Sequence, residues 1–224
     1  MRKGRLVIGT KRYSSWSLRG WLPVKLAGLD VSEEVIPLRQ PDSSVRIAHV
    51  SPNGKVPFLE HRNVKIWDSL AIAEYCAELE PKLWPENQVA RAMARSISAE
   101  MHSGFQGVRS TMPMNLGRSQ RPLKEPLSEA VTKDIVRIDS IWTEARRRFG
   151  EGGDYLFGRD FTNADVAFAP IVCRFLSYDV DVSVSDVSRA YMEAVREHPL
   201  MEQWYEEAAQ EPNEWLVDAF ETIE

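Results

Sequence analysis

The chain has 224 residues, 43% of them hydrophobic and 27% charged, which is the composition of a globular protein that can bury a core. Its 28 basic and 33 acidic side chains give a net charge of −5, which argues against nucleic acid as the main partner. No apolar run approaches the roughly 18 residues of a membrane span or the pattern of a secretory leader. We therefore expect a cytoplasmic protein with no membrane partner.

The N-terminal third alternates between the hydrophobic patterns of strands and helices. Strands are predicted at residues 5–10, 34–38, 56–60 and 64–67, and helices at residues 16–29, 44–50 and 69–80. This β-α-β-α-β-β-α order is that of an α/β thioredoxin-like fold with a mixed sheet. The first domain is therefore predicted to be thioredoxin-like.

After the segment Pro81-Lys82-Leu83-Trp84-Pro85 the strand patterns end and the chain becomes helical. Helices are predicted at residues 88–112, 126–149, 163–177, 185–197 and 199–210. We divide the chain into a thioredoxin-like domain (1–82), a linker (83–90) and an all-α domain (91–224).

The segment from Phe161 to Val166 has the pattern of a helix start. Thr162 can cap the helix, Asp165 can bond back to the backbone N–H of Thr162, and Phe161 can pack on Val166. We assign this segment a structural role.

Cysteine and histidine spacing excludes several kinds of site. Cys76 and Cys173 are the only cysteines, so neither a disulfide framework nor a C-x-x-C motif is present, and both are predicted to be small buried apolar residues. The four histidines lack the i, i+4 spacing of a zinc-binding helix, so we assign no metal.

The stretch Ser51-Pro52-Asn53-Gly54-Lys55-Val56-Pro57-Phe58-Leu59 precedes a predicted hairpin, and Trp67-Asp68-Ser69 follows it. Asp68 and Ser69 suit the start of a helix, where free backbone N–H groups favour an anion. Together these motifs resemble the glutathione-binding half of the cytosolic glutathione transferase superfamily. Helix capping alone is the alternative interpretation of Asp68-Ser69.

That resemblance implies a site for glutathione as co-substrate. It implies a cis Val56-Pro57 bond, with the Val56 backbone pairing with the cysteinyl part of the tripeptide. It also implies that Ser69 and the helix N-terminus bind the γ-glutamyl carboxylate, while Asp68 accepts from the γ-glutamyl ammonium. Lys55 and Gln40 are expected to complete the contacts with glutathione.

The loop Tyr13-Ser14-Ser15-Trp16-Ser17-Leu18-Arg19 runs from the first strand into a helix. It resembles the S-S-x-S-x-R motif of the zeta class of the superfamily, which includes maleylacetoacetate and maleylpyruvate isomerases. The match implies that the catalytic residues are Ser14, Ser15 and Ser17, with the Ser14 hydroxyl holding the glutathione thiolate. Alternatives are that the serines only cap the helix, or that Tyr13 supplies the hydroxyl.

Two residues of this region depart from the zeta pattern, and one is expected to serve the scaffold. Trp16 stands where zeta enzymes usually have Cys, and Pro23 falls inside a helix that is normally continuous. Arg19 is expected to be a buried or paired scaffold residue.

A second-substrate pocket is expected beside the serine loop. Its predicted lining is Trp16, His102, Phe105, Arg109, Met112 and Arg174. A row of Met and aromatic side chains at helical spacing is also typical of a hydrophobic core. Arg174-Phe175 resembles the Arg-Phe pair of zeta isomerases that engages a substrate carboxylate.

Taken over the whole chain, the resemblance implies a glutathione-dependent enzyme. Such an enzyme activates the glutathione thiol for conjugation to, or isomerisation of, a small electrophile, and it forms a homodimer. The alternatives are a non-catalytic glutathione-binding interaction protein and a thiol-disulfide oxidoreductase. The last is disfavoured because no cysteine lies in the loop from Tyr13 to Ser17.

Overall fold

A computed structural model describes residues 4–118, 120–180 and 184–223 of the chain. Its N-terminal domain has the elements β1 (Gly4–Gly9), α1 (Ser15–Leu26), β2 (Ser32–Ile36), α2 (Ser43–Val50), β3 (Phe58–His61), β4 (Val64–Trp67) and α3 (Ser69–Leu79). The strands form a mixed sheet in the order β2-β1-β3-β4, in which β2 runs parallel to β1 and the other pairs are antiparallel. The predicted thioredoxin-like topology is confirmed.

The two faces of the sheet pack against different helices because side chains alternate along a strand. Leu6 and Ile8 of β1 point into the large core that includes α1 and α3. Val7, between them, packs with Ile47 of α2 in a smaller cluster on the opposite face. The end of β1 is thereby fixed from both sides, and with it the loop that follows.

The C-terminal domain is entirely helical in its described part. Its helices are α4 (Gln88–Ser103), α5 (Gln106–Thr111), α6 (Glu129–Phe149), α7 (Asn163–Ser177), α8 (Asp186–Arg196), α9 (Pro199–Ala209) and α10 (Asp218–Glu221), with short 3₁₀ turns at Pro81–Leu83 and Asn213–Trp215. Every residue of α7 except Leu176 is buried, so this helix lies at the centre of the domain. None of the helices in the described ranges is both long enough and apolar enough to cross a membrane.

The helix predicted over residues 88–112 is wrong, because the structure has two helices there. Gly104 ends α4, and a side chain at this position would meet the carbonyl oxygen of Glu100 at 2.8 Å. Phe105 then adopts a left-handed conformation with φ of 60° before α5 begins. This turn redirects the chain, and the Phe105 side chain packs into the core.

Other boundaries differ from the prediction by a few residues. The helix predicted from residue 126 begins at Glu129, where Ser128 caps it. Pro23 lies inside α1 without ending it, and the helix continues to Leu26. The Val56-Pro57 peptide bond is cis, as the family resemblance implied, and β3 begins one residue after it.

The two domains share a hydrophobic core and are joined by buried hydrogen bonds. The Asn163 side-chain amide of α7 donates to the Ala73 carbonyl of α3 at 3.0 Å. Arg19 of α1 donates from Nε to the Ala167 carbonyl of α7 at 2.8 Å, which agrees with the scaffold role expected for it. Cys76 and Cys173 are both free and buried, as expected of small apolar residues.

The start of α7 is held by the predicted capping box. The Asp165 carboxylate is fully buried and accepts from the backbone N–H of Thr162 at 2.8 Å, from the Thr162 hydroxyl at 2.9 Å and from the Leu156 N–H at 3.0 Å. Burial raises the pKa of this carboxyl group, and the three donors act in the opposite direction.

Asp165→Ala should destabilise the protein by about 3 kcal/mol, since it leaves buried N–H donors without an acceptor. Urea unfolding followed by circular dichroism would measure the change. Asp186→Ala is the matched control, because Asp186 also lies in a first helical turn but its side chain is 94% exposed. Equal urea midpoints for the wild type and Asp165→Ala would contradict the assigned role.

Candidate functional site

Most of the predicted site residues meet in a groove beside α1 that Trp16 divides into two adjoining pockets. One pocket, of about 470 Å³, is lined by Ser14, Ser15 and Gln40. The other, of about 390 Å³, has among its lining residues Lys55, Val56, Pro57, Asp68, Ser69, His102 and Arg109. Trp16 lines both pockets. Residues from distant parts of the sequence therefore converge on one site, although their individual roles stay predictions.

The serine loop is ordered by its own hydrogen bonds. Ser14 caps α1, accepting from the Ser17 backbone N–H at 3.2 Å and donating its hydroxyl to Ser17 Oγ at 2.7 Å. Ser17 Oγ also accepts from the Gly9 N–H of β1 at 2.8 Å, and Ser17 is fully buried. Ser17 therefore joins the strand to the helix, whereas Ser14 lines the groove.

Ser15 is the first residue of α1 and has a different environment. Its Oγ accepts from Nη2 of Arg174 at 3.2 Å. Arg174 comes from α7, so this bond connects the serine loop to the helical domain. Ser15 is 9% exposed and lies in the same pocket wall as Ser14.

The Tyr13 hydroxyl is occupied by the C-terminal segment. It donates to the Glu221 carboxylate and accepts from the Val217 N–H at 3.2 Å. Burial, reinforced by the bond to Glu221, raises the pKa of Tyr13 to about 12. The phenol therefore stays protonated at neutral pH and already has an acceptor for its proton.

Asp68 and Ser69 lie at the start of α3 and face different surroundings. Asp68 adopts φ of 74°, accepts from the Leu70 N–H at 2.8 Å and lies 3.4 Å from Nε2 of His102. Ser69 is 3% exposed, and its hydroxyl has no hydrogen-bond partner among the described residues. A buried hydroxyl at a helix N-terminus can bind an anionic group.

The remaining predicted glutathione-binding residues are Lys55 and Val56, which precede β3, and Gln40, which precedes α2. The Lys55 side chain is exposed, while its backbone N–H donates to Asn53 at 3.1 Å. Val56 is half-buried beside the cis bond. Gln40 donates from Nε2 to the Glu214 carbonyl at 3.3 Å, which places it next to the C-terminal segment.

Trp16 is held in place by three positively charged or polar neighbours. The guanidinium groups of Arg109 and Arg19 lie 4.5 and 5.1 Å from its ring, and the His102 ring packs edge-on at 5.2 Å. Arg109 also donates to the His102 carbonyl at 3.2 Å, and burial lowers the pKa of Arg109. Cation–π contacts of this kind fix the ring as a wall between the pockets.

Three residues predicted to line the substrate pocket do not line either half of the groove. Phe105 and Met112 are core residues, with 7% and 1% exposure. Arg174 is 5% exposed and reaches the groove only through Ser15. After the turn at Gly104 and Phe105 the chain continues in the short helix α5, so that Phe105 and Met112 face the core while Arg109, between them, reaches the groove.

The C-terminal segment supplies pocket residues that the sequence did not indicate. Val217 and Phe220 line the Ser14 side of the groove, and the Phe220 ring lies 5.5 Å from that of Tyr13. Glu221 pairs with Arg12 at 3.1 Å and accepts from Asn115 at 3.1 Å. No local motif marks this segment, since each contact spans about half the chain or more.

No cluster of His, Cys, Asp or Glu suited to a metal ion occurs within residues 4–118, 120–180 and 184–223. What the groove offers is hydroxyl groups, a helix N-terminus with a free serine, and an exposed carboxylate. Such groups can bind a zwitterionic peptide and donate hydrogen bonds to an anion.

Known proteins resemble the chain in both sequence and structure. The sequence profile of the glutathione S-transferase N-terminal domain matches residues 13–79. Maleylacetoacetate isomerase of Rattus norvegicus is 27% identical over 205 residues, covering 86% of this chain and 90% of the relative. A probable maleylacetoacetate isomerase of Caenorhabditis elegans is 25% identical, covering 75% and 77%.

Solved structures share the fold over nearly the full length. A glutathione transferase homolog from Burkholderia gl BGR1, solved with bound glutathione, superposes with a TM-score of 0.68 at 23% identity, covering 94% of this chain and all of that one. The monomeric glutathione S-transferase Na-GST-3 of Necator americanus gives a TM-score of 0.70 at 18% identity, covering 94% and 98%. The chain therefore has a glutathione S-transferase N-terminal domain followed by an all-helical domain, which is the fold of the glutathione transferases.

Proposed function

We propose that the protein binds glutathione along the groove and activates its thiol for attack on a small electrophile. The observation that carries the proposal is the convergence of the Ser14-Ser15 loop with the Asp68-Ser69 helix start on either side of Trp16. The serine loop supplies hydroxyl donors for the sulfur of glutathione. The start of α3 supplies a hydroxyl, backbone N–H groups and a carboxylate for its γ-glutamyl end.

In this proposal the tripeptide extends past Trp16. Ser69 and the α3 N-terminus bind the γ-glutamyl carboxylate, and Asp68 accepts from the ammonium group. The Val56 backbone pairs with the cysteinyl residue in the manner of an added strand. Lys55 and Gln40 complete the contacts with the tripeptide from the two sides of Trp16.

The chemical requirement is a thiolate at neutral pH. A thiol of pKa about 8.5 needs a shift of roughly two units, or about 2.7 kcal/mol, before thiolate becomes the main form. A hydroxyl donor supplies about 1.5 to 3 kcal/mol, and a helix N-terminus roughly 0.3 to 2 more. Ser14 and Ser15 at the start of α1 offer both.

Ser14 is the proposed donor, because Tyr13 is already engaged with Glu221. The Ser14 hydroxyl can turn from Ser17 to the sulfur while its oxygen keeps the Ser17 N–H. In conjugation the thiolate forms a bond to carbon as a leaving group departs. In isomerisation it adds to a double bond, rotation follows, and elimination restores glutathione.

Isomerisation is favoured as a specific form of this chemistry by the relatives named maleylacetoacetate isomerase. The test is a turnover assay with glutathione against maleylacetone, an aryl halide, an α-haloacid and a peroxide, with calorimetry of glutathione binding in parallel. Turnover of maleylacetone alone would identify an isomerase. Glutathione binding without turnover would favour the non-catalytic alternative, and no binding would overturn the proposal.

We also propose a two-fold homodimer with the first domain of one subunit against the second domain of the other. Exposed apolar side chains near the junction of the domains support it: Leu79 at the end of α3 is 40% exposed and Val89 at the start of α4 is 59% exposed. A closed two-fold dimer would cover both.

The first prediction for this function concerns the thiol. Ser14→Ala should raise the thiol pKa of bound glutathione by about one to two units, since the hydrogen bond favours mainly the charged form, while affinity changes by less than about tenfold. Ultraviolet absorbance of the thiolate across a pH titration measures it. Ser44→Ala, a serine in the same pocket wall but on α2, should titrate like the wild type. An unchanged titration in Ser14→Ala would remove Ser14 from this role.

The second prediction concerns the γ-glutamyl end. Ser69→Ala should weaken glutathione binding by about 1 to 3 kcal/mol, and Asp68→Asn by about 1 kcal/mol because Asp68 is more exposed. Asn keeps an oxygen for capping α3, so the change reports on charge. Calorimetry measures both, with circular dichroism as the check on folding. Wild-type affinity in both variants would exclude this subsite.

The third prediction concerns assembly. Sedimentation velocity at micromolar concentration should show a dimer, and Val89→Glu should shift it toward monomer because a charge would be buried without a partner. Val136→Glu is the control, since Val136 is 62% exposed on α6. A wild-type monomer under these conditions would reject the proposed dimer.

A further inference from the structure

Arg174 is a buried arginine whose three guanidinium nitrogens all donate hydrogen bonds. Nε donates to the Met112 carbonyl at 2.8 Å and Nη1 to the Pro170 carbonyl at 3.1 Å. Nη2 donates to Ser15 Oγ at 3.2 Å. Two of these bonds hold the side chain in a fixed position, and the third is its contact with the wall of the groove.

The charge of Arg174 is not neutralised by a carboxylate within the described residues. The titratable groups that act on it are Arg109 of α5, Arg19 of α1, Cys173 of α7 and Tyr178 just after the end of α7. Burial is the main reason that the pKa of Arg174 falls to about 10, so the group stays protonated at neutral pH. A positive charge therefore stands directly behind Ser15.

This bond determines how the Ser15 hydroxyl is oriented. Because its oxygen accepts from the guanidinium, its hydrogen must point away from Arg174, and no described residue accepts that hydrogen. Ser14 differs, because its hydroxyl donates to Ser17. Ser15 lines the same pocket as Ser14 and is the first residue of the 12-residue helix α1. Its O–H is thus free to donate into the groove.

We propose that Arg174 is a positioning residue that acts on the glutathione sulfur through the hydroxyl of Ser15. Donation from a cation polarises the hydroxyl and strengthens the hydrogen bond that it makes in turn to an anion. This role rests on the proposed function, and it differs from the direct contact with a substrate carboxylate that the family resemblance implied. Since a nearby cation favours the thiolate, loss of the charge should raise the thiol pKa.

The experiment is a double-mutant cycle on the thiol pKa of bound glutathione, measured from thiolate absorbance. Ser15→Ala should raise this pKa by about one unit, and Arg174→Gln by about half a unit to one unit, since glutamine keeps donors but removes the charge. In the Ser15→Ala background, Arg174→Gln should add almost nothing. Arg118→Gln is the matched control, because Arg118 is also buried and donates only to backbone carbonyls.

If Arg174→Gln does not fold, Arg174→Lys takes its place, with a smaller rise expected because the charge remains. Equal effects of the Arg174 change with and without the Ser15 hydroxyl would overturn the proposal, as would a folded Arg174 variant with the wild-type titration. A pKa change in Arg118→Gln of the same size would also overturn it. If only Ser14→Ala moves the titration, this inference fails and the proposed function stands. Absence of any bound thiolate in the wild type would instead reject the proposed function.

Discussion

The packing of α1 against the buried helix α7 is the constraint on which the rest of the site depends. Arg19 reaches from α1 to the Ala167 carbonyl, and Arg174 reaches back from α7 to Ser15. Both bonds lie within the domain interface and are shielded from water. The capping box at Asp165 fixes where α7 begins. It thereby helps to position Arg174 near the other end of α7, and with it the Ser15 hydroxyl to which Arg174 donates.

Interior packing also explains how a short serine loop can be kept in a fixed position. Ser17 bonds to the Gly9 N–H of β1, and the strand is covered on both faces of the sheet. The loop therefore joins two rigid elements and has little freedom of its own. A hydroxyl presented from such a loop costs little ordering entropy when a ligand arrives, which is the advantage of a preorganised site.

Much of this arrangement could be predicted from the sequence, because the signals were local. The order of strands and helices along the first domain, the capping box from Phe161 to Val166 and the cis bond before β3 each follow from short motifs or from the family that those motifs resemble. The break after α4 was missed because the apolar pattern continues across Gly104 and Phe105. The contacts of Phe220 and Glu221 have no local signal, since they join the last turns of the chain to its first loop.

The position of Trp16 bears on the intrinsic fluorescence of the protein. The indole ring is half-buried at the junction of two pockets, with the His102 ring 5.2 Å away and two guanidinium groups over it. Trp21, Trp142 and Trp204 are instead fully buried in the core and line neither pocket of the groove. Indole emission depends on local polarity and on nearby quenching groups. The ultraviolet fluorescence of the unlabelled protein therefore includes emission from Trp16, the residue that separates the two pockets.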